Sequence, residues 1–577
     1  MKKNVMALSI AAMIGGLGFA GAASAAVITG TTGATNAAAS IQAGEMAKAT
    51  ATSLTLAEGG VGNALIVPYF TTQNGNMSVF HVTNTDTDNG KVVKVRFRSA
   101  ANSDDILDFQ LFLSPGDVWT AAVLADENGL SQLVTSDNTC TVPHIPKNTF
   151  IPFRKGNLPA FAADQNQLTR EGYVEIFNIA DITNVKTWDA AGAVSATGTQ
   201  FSPLYKATKH VNGVAPCSAA GEARTLLDDL AVTNFTEPTA VAAGLQTPSG
   251  GLMGDWYIQN IAQSTTFAGV TTTITANGRA NFTHFPQVAQ PATATANDVT
   301  ADALFRTTFV RDAVGAPVTT AAKTLLDEDV PDLSTPMLPA NAVAEGARAQ
   351  ASDLLAALAV TSVTNQYALN APVQGKTDWV FSMPARRYNV VANYGAVSGA
   401  SGASGPTAAN AKYRLFTDLS AAATQDDNWF YTAVNAAAAP AGYGAGGTGQ
   451  KAAGNTTVDA ATGNICVYAD GQKFWDREET TGTTGPTFSP GSTTKASFCG
   501  EVSVLAFNDT GKSVLGAEVA RSNTTLGYVS GWGRLDTTNA DMGLPLTGAS
   551  FIKLTNPSAA AGMMGTYGIT WPHRFTK

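Results

Sequence analysis

The sequence predicts a mainly β protein with two β-sandwich regions of Ig-like or jelly-roll-like type, one Ala-rich helix and long Gly/Ala/Thr-rich loops. Two observations predict this class. Apolar and polar residues alternate over short segments, as in strands with one buried face. Turn-forming residues separate these segments. With 577 residues, of which 44% are hydrophobic, the chain is long enough to bury a large core.

The first 25 residues have the pattern of a secretory signal peptide. Two lysines precede an apolar core at residues 5–20, and Ala23-Ser24-Ala25 fits a cleavage site with small residues. The alternative is a membrane anchor, which the adjacent cleavage site disfavours. No later segment is long and apolar enough to span a bilayer. The sequence therefore predicts a secreted protein with no membrane span in its mature chain.

Residues 26–57 are rich in Ala and Thr and predict a flexible N-terminal arm. Residues 53–56 alternate like a short strand, so the arm could add a strand to the sheet of a neighbouring molecule. The alternative is a disordered leader that has no partner.

Residues 59–133 predict a meander of five strands, two of whose links are Asn74-Gly75 and Asn89-Gly90. Asn-Gly supplies the positive φ of a tight hairpin turn. The predicted strands are residues 63–72, 77–84, 91–98, 106–113 and 118–125.

Within the third of these strands, three apolar residues alternate with Lys94, Arg96 and Arg98. This period of two predicts one buried face and one solvent-exposed face. A sheet of this kind must cover its apolar face with a second sheet, so the pattern predicts a β-sandwich.

The predicted sandwich regions are residues 58–335 and 366–577, and residues 336–365 form a helical connection between them. The helix covers residues 341–360, with Leu354, Leu355 and Leu358 on one face. Further predicted strands are residues 172–179, 255–261, 271–276, 378–383, 465–469, 501–508, 513–520, 526–535 and 550–554. The long loops are residues 395–411, 436–463 and 480–494.

The four cysteines are Cys140, Cys217, Cys466 and Cys499. An even number of cysteines in an exported chain predicts two disulfides, for which three pairings are possible. Separate domains would favour Cys140–Cys217 with Cys466–Cys499. A metal site is the alternative, but it would require closer Cys spacing.

The densest acidic cluster, Asp327-Glu328-Asp329 with Asp332, predicts a structural calcium site through Asp327, Asp329 and Asp332. The spacing is not that of an EF-hand, and a solvated polar loop is the alternative. No other cofactor is predicted.

No set of residues predicts catalysis. Glu478 and Glu479 follow an aromatic pair, but neighbouring residues of a strand point to opposite faces, which suits a glycosidase poorly. The five histidines lack metal-ligand spacing, and no nucleophile elbow or phosphate loop is present. The eight tryptophans could line a sugar-binding face, although core packing is the ordinary role of tryptophan in strands. The net charge of −9 excludes an obvious nucleic-acid partner.

The segments LIVPYFTTQNGNMSVFHV, TDWVFSMP, FWDREE and CGEVSVLAFN resemble uncharacterised exported β-proteins of Gram-negative bacteria. This resemblance implies a place at the cell surface or in the extracellular matrix, and it supplies no reaction or catalytic residue. The low charge and the many small residues are similar to those of S-layer and filament subunits.

These observations predict a structural protein that self-associates as an S-layer, filament or sheath subunit, and not an enzyme. The first alternative is an extracellular carbohydrate- or surface-binding adhesin module with a cell-surface polysaccharide as partner. The second alternative is a secreted hydrolase. Exposed tryptophans would favour the adhesin, and a Ser-His pair or converging carboxylates would favour the hydrolase.

Overall fold

The computed structural model describes residues 26–30, 44–101, 103–155, 158, 164–231, 233–284, 287, 332–342, 346–385, 456–458, 465–468, 471–478, 497–508, 513–537, 543–560 and 563–577. The predicted signal peptide at residues 1–25 lies outside the described residues, as do the predicted loops 395–411 and 480–494.

The described chain is mainly β, as predicted. Its first strands are β1 Ala26–Ile28, β2 Leu54–Leu56, β3 Ala64–Thr71, β4 Met77–Asn84, β5 Gly90–Ser99, β6 Asp105–Leu113, β7 Val118–Ala125, β8 Ser131–Val134, β9 Cys140–Val142, β10 Ile151–Pro152, β11 Glu171–Ile182, β12 Leu245–Gln246, β13 Leu252–Asn260, β14 Thr265–Val270, β15 Thr272–Ala276 and β16 Phe282–His284. The later strands are β17 Ala359–Val360, β18 Ser362–Ala368, β19 Lys376–Ser382, β20 Thr456–Val458, β21 Ile465–Tyr468, β22 Gly471–Asp476, β23 Ser497–Cys499, β24 Val502–Phe507, β25 Arg521–Thr524, β26 Ser530–Asp536, β27 Leu544–Pro545, β28 Thr547–Ala560, β29 Met563–Pro572 and β30 Arg574–Thr576. The α-helices are α1 Pro203–Thr208, α2 Glu222–Ala231, α3 Glu237–Ala243 and α4 Gly346–Leu358.

Two sheets from the first half of the chain pack face to face. Sheet 1 has the order β2-β15-β3-β11-β5-β6-β9, with β12 beside β11, and sheet 2 has the order β10-β8-β7-β4-β13-β14. Phe80 of sheet 2 meets Phe97 of sheet 1 with ring centroids 5.5 Å apart. Apolar side chains from both inner faces form one core.

The five strands predicted between residues 59 and 133 are present, but the predicted meander is wrong. β3, β5 and β6 belong to sheet 1, whereas β4 and β7 belong to sheet 2. The Asn-Gly links therefore cross between sheets and do not close hairpins. Asn74 and Gly75 still take positive φ values of 55° and 75°, which this pair adopts readily. The predicted positive φ is therefore confirmed at Asn74-Gly75 but not at Asn89-Gly90, where Gly90 begins β5, and the predicted pairing partners are wrong at both links.

The prediction that one face of β5 is exposed to solvent is also wrong. Lys94, Arg96 and Arg98 are fully buried. Arg96 lies 3.4 Å from Asp105, and Arg98 lies 3.3 Å from Glu175. Acids on the neighbouring strands β6 and β11 therefore balance the buried cations, which offsets part of their desolvation cost. Alternation correctly indicated two chemically different faces, but both faces are covered.

A layer of helices and short strands covers this second face of sheet 1. Val92 and Phe112 of the sheet line one narrow cavity together with Leu204 of α1 and Leu230 of α2. Gln287 accepts a hydrogen bond of 2.7 Å from the ammonium of Lys94. The layer is also tied covalently to the edge of sheet 1. The bond joins Cys140 of β9 to Cys217, with Cα atoms 5.8 Å apart, as predicted.

The second half of the chain builds a further sheet pair. Sheet 3 has the order β25-β24-β19-β28-β29, and sheet 4 has the order β22-β26-β18-β30. Trp379 of sheet 3 lies between Phe507 and Phe474, with ring centroids 5.1 Å and 5.9 Å away. In the separate small sheet β20-β21-β23, Cys466 is the direct cross-strand partner of Cys499, which is the second predicted pairing.

Sheet 3 also packs against the first half of the chain through its other face. Phe551 of β28 meets Trp256 and Phe267 of sheet 2 with ring centroids 5.9 Å and 5.5 Å apart. Leu354 and Leu355 of α4 belong to the same core as Phe551. The two predicted regions therefore share a core, with sheet 3 as the middle layer.

The described parts of the predicted arm are not a flexible extension. β1 pairs with β16, and β2 pairs with β15 at the edge of sheet 1. The N–H of Ala47 donates a 2.7 Å hydrogen bond to the amide oxygen of Gln246. Both short strands are thus held by main-chain pairing within their own chain. None of the described helices is long and apolar enough to cross a membrane.

Residues 513–520, predicted as a strand, have no strand structure. In this segment, the N–H groups of Glu518 and Val519 donate hydrogen bonds of 2.8 Å and 3.2 Å to the carboxylate of Glu171. Burial raises the pKa of this carboxyl group, and the hydrogen bonds that it accepts oppose the rise. Glu171 of sheet 1 therefore accepts hydrogen bonds from backbone N–H groups that no neighbouring strand accepts.

Candidate functional site

The outer face of sheet 2, which points away from sheet 1, is a surface of regular strands that is partly open to solvent. One residue from each of five adjacent strands forms a cross-strand row in its middle, and the register places them side by side. All five are apolar: Val134, Ala122, Val79, Tyr257 and Ala268. Ala268 is exposed, Val134, Ala122 and Tyr257 are half-buried, and Val79 is only 4% exposed. The strands hold these side chains at fixed spacing, so the row needs no rearrangement to meet a partner surface.

The next row of this face runs through Thr120, His81, Asp255 and Val270. A ring nitrogen of His81 lies 3.0 Å from the hydroxyl of Thr120, and its ring centroid lies 5.8 Å from that of Tyr257. The side chain of Val270 is 62% exposed. Asp255 is exposed, so this row places one carboxylate beside the apolar row, and a partner that covers it must leave Asp255 hydrated or pair it.

At one end, the outer face of sheet 2 leads into an open groove of about 570 Å³. The groove lies between the turns that follow β3, β7 and β13. Met77, Leu124 and the exposed Ile261 give it apolar walls, and Asp126 and Arg170 lie among its polar lining residues. The accessible apolar area thus continues beyond the flat part of the sheet.

Seven of the eight tryptophans lie within the described residues: four are buried, two form a stacked pair, and Trp571 of β29 is 40% exposed outside that pair. Four of the described tryptophans are buried, in agreement with core packing: Trp119, Trp188, Trp256 and Trp379. Trp475 and Trp532 instead lie on the outer face of sheet 4, stacked with centroids 4.1 Å apart at 13°. Trp429 lies outside the described residues. Trp532 is 39% exposed and Trp475 is half-buried, so this stacked pair is accessible in part to a ligand.

The described residues include a Ser-His-Asp group, formed by the turn after β6 and by His210, which follows α1. The hydroxyl of Ser114 lies 3.1 Å from Nδ1 of His210, and the carboxylate of Asp117 lies 3.5 Å from the same nitrogen. In a catalytic triad the serine and the acid bind different ring nitrogens. Asp117 also accepts from the N–H of Ser114 and from the hydroxyl of Thr139, so it closes the turn. The arrangement fits a structural role.

Of the predicted calcium ligands, Asp327 and Asp329 lie outside the described residues, and Asp332 is buried. Asp332 accepts hydrogen bonds of 2.8 Å and 2.6 Å from the N–H and hydroxyl of Ser334, and lies 3.9 Å from Arg98. Burial and the nearby Glu175 raise its pKa to about 6, although Arg98 opposes this. Within the described ranges, no group of three or more metal-ligating side chains is placed to hold an ion. Calcium binding stays a prediction.

The paired-carboxylate site is likewise only half described. Glu478 is exposed at the end of β22, and Glu479 lies outside the described residues.

Comparisons with protein-family models, curated proteins and solved structures found no match for this chain.

Proposed function

We propose that this chain is a secreted structural protein of the cell surface or extracellular matrix that acts by self-association. The observation that carries the proposal is the outer face of sheet 2. Its central row crosses five strands without a charged or polar side chain, apart from the hydroxyl of Tyr257. The predicted signal peptide and the resemblance to exported bacterial proteins support the location.

The size of this face is suited to weak, repeated association. Five strands at about 4.8 Å spacing, with roughly six residues each, give the whole face an area of roughly 500 Å². Packing two copies face to face would bury on the order of 1,000 Å², near the lower limit for specific interfaces. A dimer formed in this way is a building block, and an extended layer needs a second contact.

The fold proposed for this role is a pair of β-sandwich regions of Ig-like or jelly-roll-like type, with α4 as the Ala-rich connecting helix. The face-to-face packing of sheets 1 and 2, and of sheets 3 and 4, supports this assignment.

The test is Ala122→Arg, which places a charge in the middle of the apolar row. The matched control is Val211→Arg, because Val211 is 60% exposed in a loop and gains the same charge. Sedimentation velocity and electron microscopy of the mature protein should show oligomers for the native and control proteins, and monomers for Ala122→Arg. Equal assembly of all three proteins would exclude this face as the contact.

A second candidate function is the binding of extracellular carbohydrate. One observation favours it: the stacked pair of Trp475 and Trp532 on sheet 4, in which Trp532 is 39% exposed and Trp475 is half-buried. This surface belongs to a different sheet from the proposed self-association face.

A further inference from the structure

The tryptophan pair on sheet 4 is held by a rigid support. Trp475 of β22 and Trp532 of β26 are direct cross-strand partners, and Trp532 is 39% exposed. Beneath them, the hydroxyl of Tyr367 donates a 2.9 Å hydrogen bond to the carbonyl of Trp475. Tyr367 itself stacks on Phe507 of sheet 3 with a centroid distance of 5.6 Å. The indole rings therefore stand on a packed core, which preorganises them for a ligand.

A row of cations crosses the same face two residues further along the strands. The register aligns Lys473, Arg534, Thr364 and Arg574 on the four strands of sheet 4. Lys473 and Arg574 are exposed, and the side chain of Arg534 is 48% exposed. Because side chains two residues apart on a strand share a face, this row lies beside the tryptophans, about 7 Å away.

This charge arrangement lowers the stability of the sheet. Lys473 lies directly opposite Arg534, and like charges in that position destabilise a strand pair. Asp536 compensates only in part, through a 2.5 Å contact with the guanidinium of Arg534. The whole chain carries a net charge of −9, so three cations in one row contrast with the rest of the protein. A ligand with negative groups would remove the repulsion.

We propose that the outer face of sheet 4 is a binding site for an acidic polysaccharide. The apolar faces of its sugar rings stack on Trp475 and Trp532, and its carboxylates pair with Lys473, Arg534 and Arg574. Stacking alone would accept a neutral glycan, and the cations alone would accept any anion. The two rows together select a chain of sugar rings with regular carboxylates.

This inference deepens the second candidate function and does not depend on self-association. Single-stranded nucleic acid also combines stacking rings with negative charge. The acidic composition of the chain disfavours it, since nucleic-acid binding proteins are generally basic. It is therefore tested as a competing ligand.

The test uses the mature chain carrying Ala122→Arg, so that assembly does not add avidity. If that chain still assembles, the native chain is used at the lowest measurable concentration. The probes are polygalacturonate, its methyl-esterified neutral form and oligo(dT). Calorimetry should detect binding of polygalacturonate. The affinities for the esterified form and for oligo(dT) should each be at least tenfold lower. Added salt should weaken polygalacturonate binding, because the cations contribute directly.

Two sets of variants locate the site. Trp532→Ala should weaken polygalacturonate binding at least tenfold, whereas Phe150→Ala, which removes another exposed aromatic ring, should not change it. The double variant Lys473→Gln with Arg574→Gln should weaken it about tenfold, and Lys206→Gln should not. The double variant also decides the question if Trp532→Ala fails to fold.

No polygalacturonate binding, or equal binding by the double variant, would overturn the proposal. Equal affinity for the esterified form would show that the cations do not select acidic chains. Tighter binding of oligo(dT) would assign the surface to nucleic acid instead.

Discussion

Replacing Asp332 by Asn should remove a specific part of the protein's pH-dependent stability. Burial, with the neighbouring Glu175, raises the pKa of Asp332 from its ordinary value of 3.8 to about 6, against the effect of Arg98. The folded protein therefore binds a proton at this carboxyl group at a pH where the unfolded chain does not. This contribution to stability is fully present below pH 3.8 and is lost as the pH rises through about 6.

The size of the effect follows from the two pKa values. Between about pH 7.5 and pH 5, proton binding by a group with a folded pKa near 6 and an unfolded pKa near 3.8 stabilises the fold by about 1 kcal/mol. Asn has nearly the same shape but cannot ionise. We therefore expect the gain on acidification to be about 1 kcal/mol smaller in Asp332→Asn than in the native protein.

The assay is urea unfolding at both pH values, followed by tryptophan fluorescence. The control is Asp228→Asn, which removes a carboxylate whose side chain is 52% exposed. The quantity compared is the change in unfolding free energy between the two pH values, so a constant cost of either substitution cancels. An identical change in the native protein and Asp332→Asn would refute the assignment of a raised pKa to this group.

Three further outcomes are expected. Replacing Cys140 and Cys217 by Ser should lower the unfolding free energy by about 2–4 kcal/mol, measured by urea unfolding, because their disulfide closes a long loop. Glu171→Ala should cost about 3 kcal/mol and speed amide exchange in residues 513–520, since it leaves buried N–H donors unsatisfied; unchanged exchange there would contradict this. Gly568→Ala should lower the melting temperature by several degrees, because an added Cβ would lie 2.2 Å from a backbone oxygen of β14. Gly565→Ala, whose Cβ would find its nearest neighbour at 3.3 Å, is the matched control and should shift it less.

The sequence predicted individual strands better than their partners. Alternation is a local property, so the strands at residues 77–84 and 118–125 were found at their observed bounds. Sheet membership depends on contacts between distant segments, which a local pattern does not contain. The Asn74-Gly75 turn shows the difference, because its backbone conformation was foreseen while the sheet change across it was not.

The buried cations of β5 show a second limit. The alternation predicted that Lys94, Arg96 and Arg98 face solvent, because charged residues are seldom fully buried. The acidic partners Asp105 and Glu175 belong to other strands, and their positions in the sequence do not indicate that they pair with cations of β5. Burial of the charges becomes understandable only after β5, β6 and β11 are aligned.

Both candidate surfaces were only partly visible in the sequence. In β4, Met77 and Val79 lie on one face of the strand, and Phe80 and Val82 lie on the other. Apolar residues on both faces of a strand indicate that both faces are covered, or that one of them meets a partner. Trp475 and Trp532 were noted as tryptophans, but their stacking depends on the pairing of β22 with β26.

The pairing of β1 with β16 has a consequence for how the chain folds. The first described strand finds its partner only in the middle of the chain, and β30 at the end returns to β18. Contacts between segments so far apart in sequence make folding slow, because loop closure must come first. A chain that emerges with its N-terminus first cannot complete sheet 1 until residue 276 is free, since β15 joins β2 to β3. Until then the edge of β3 that β15 will cover remains available to other chains, so this interval is when the chain is most prone to aggregate.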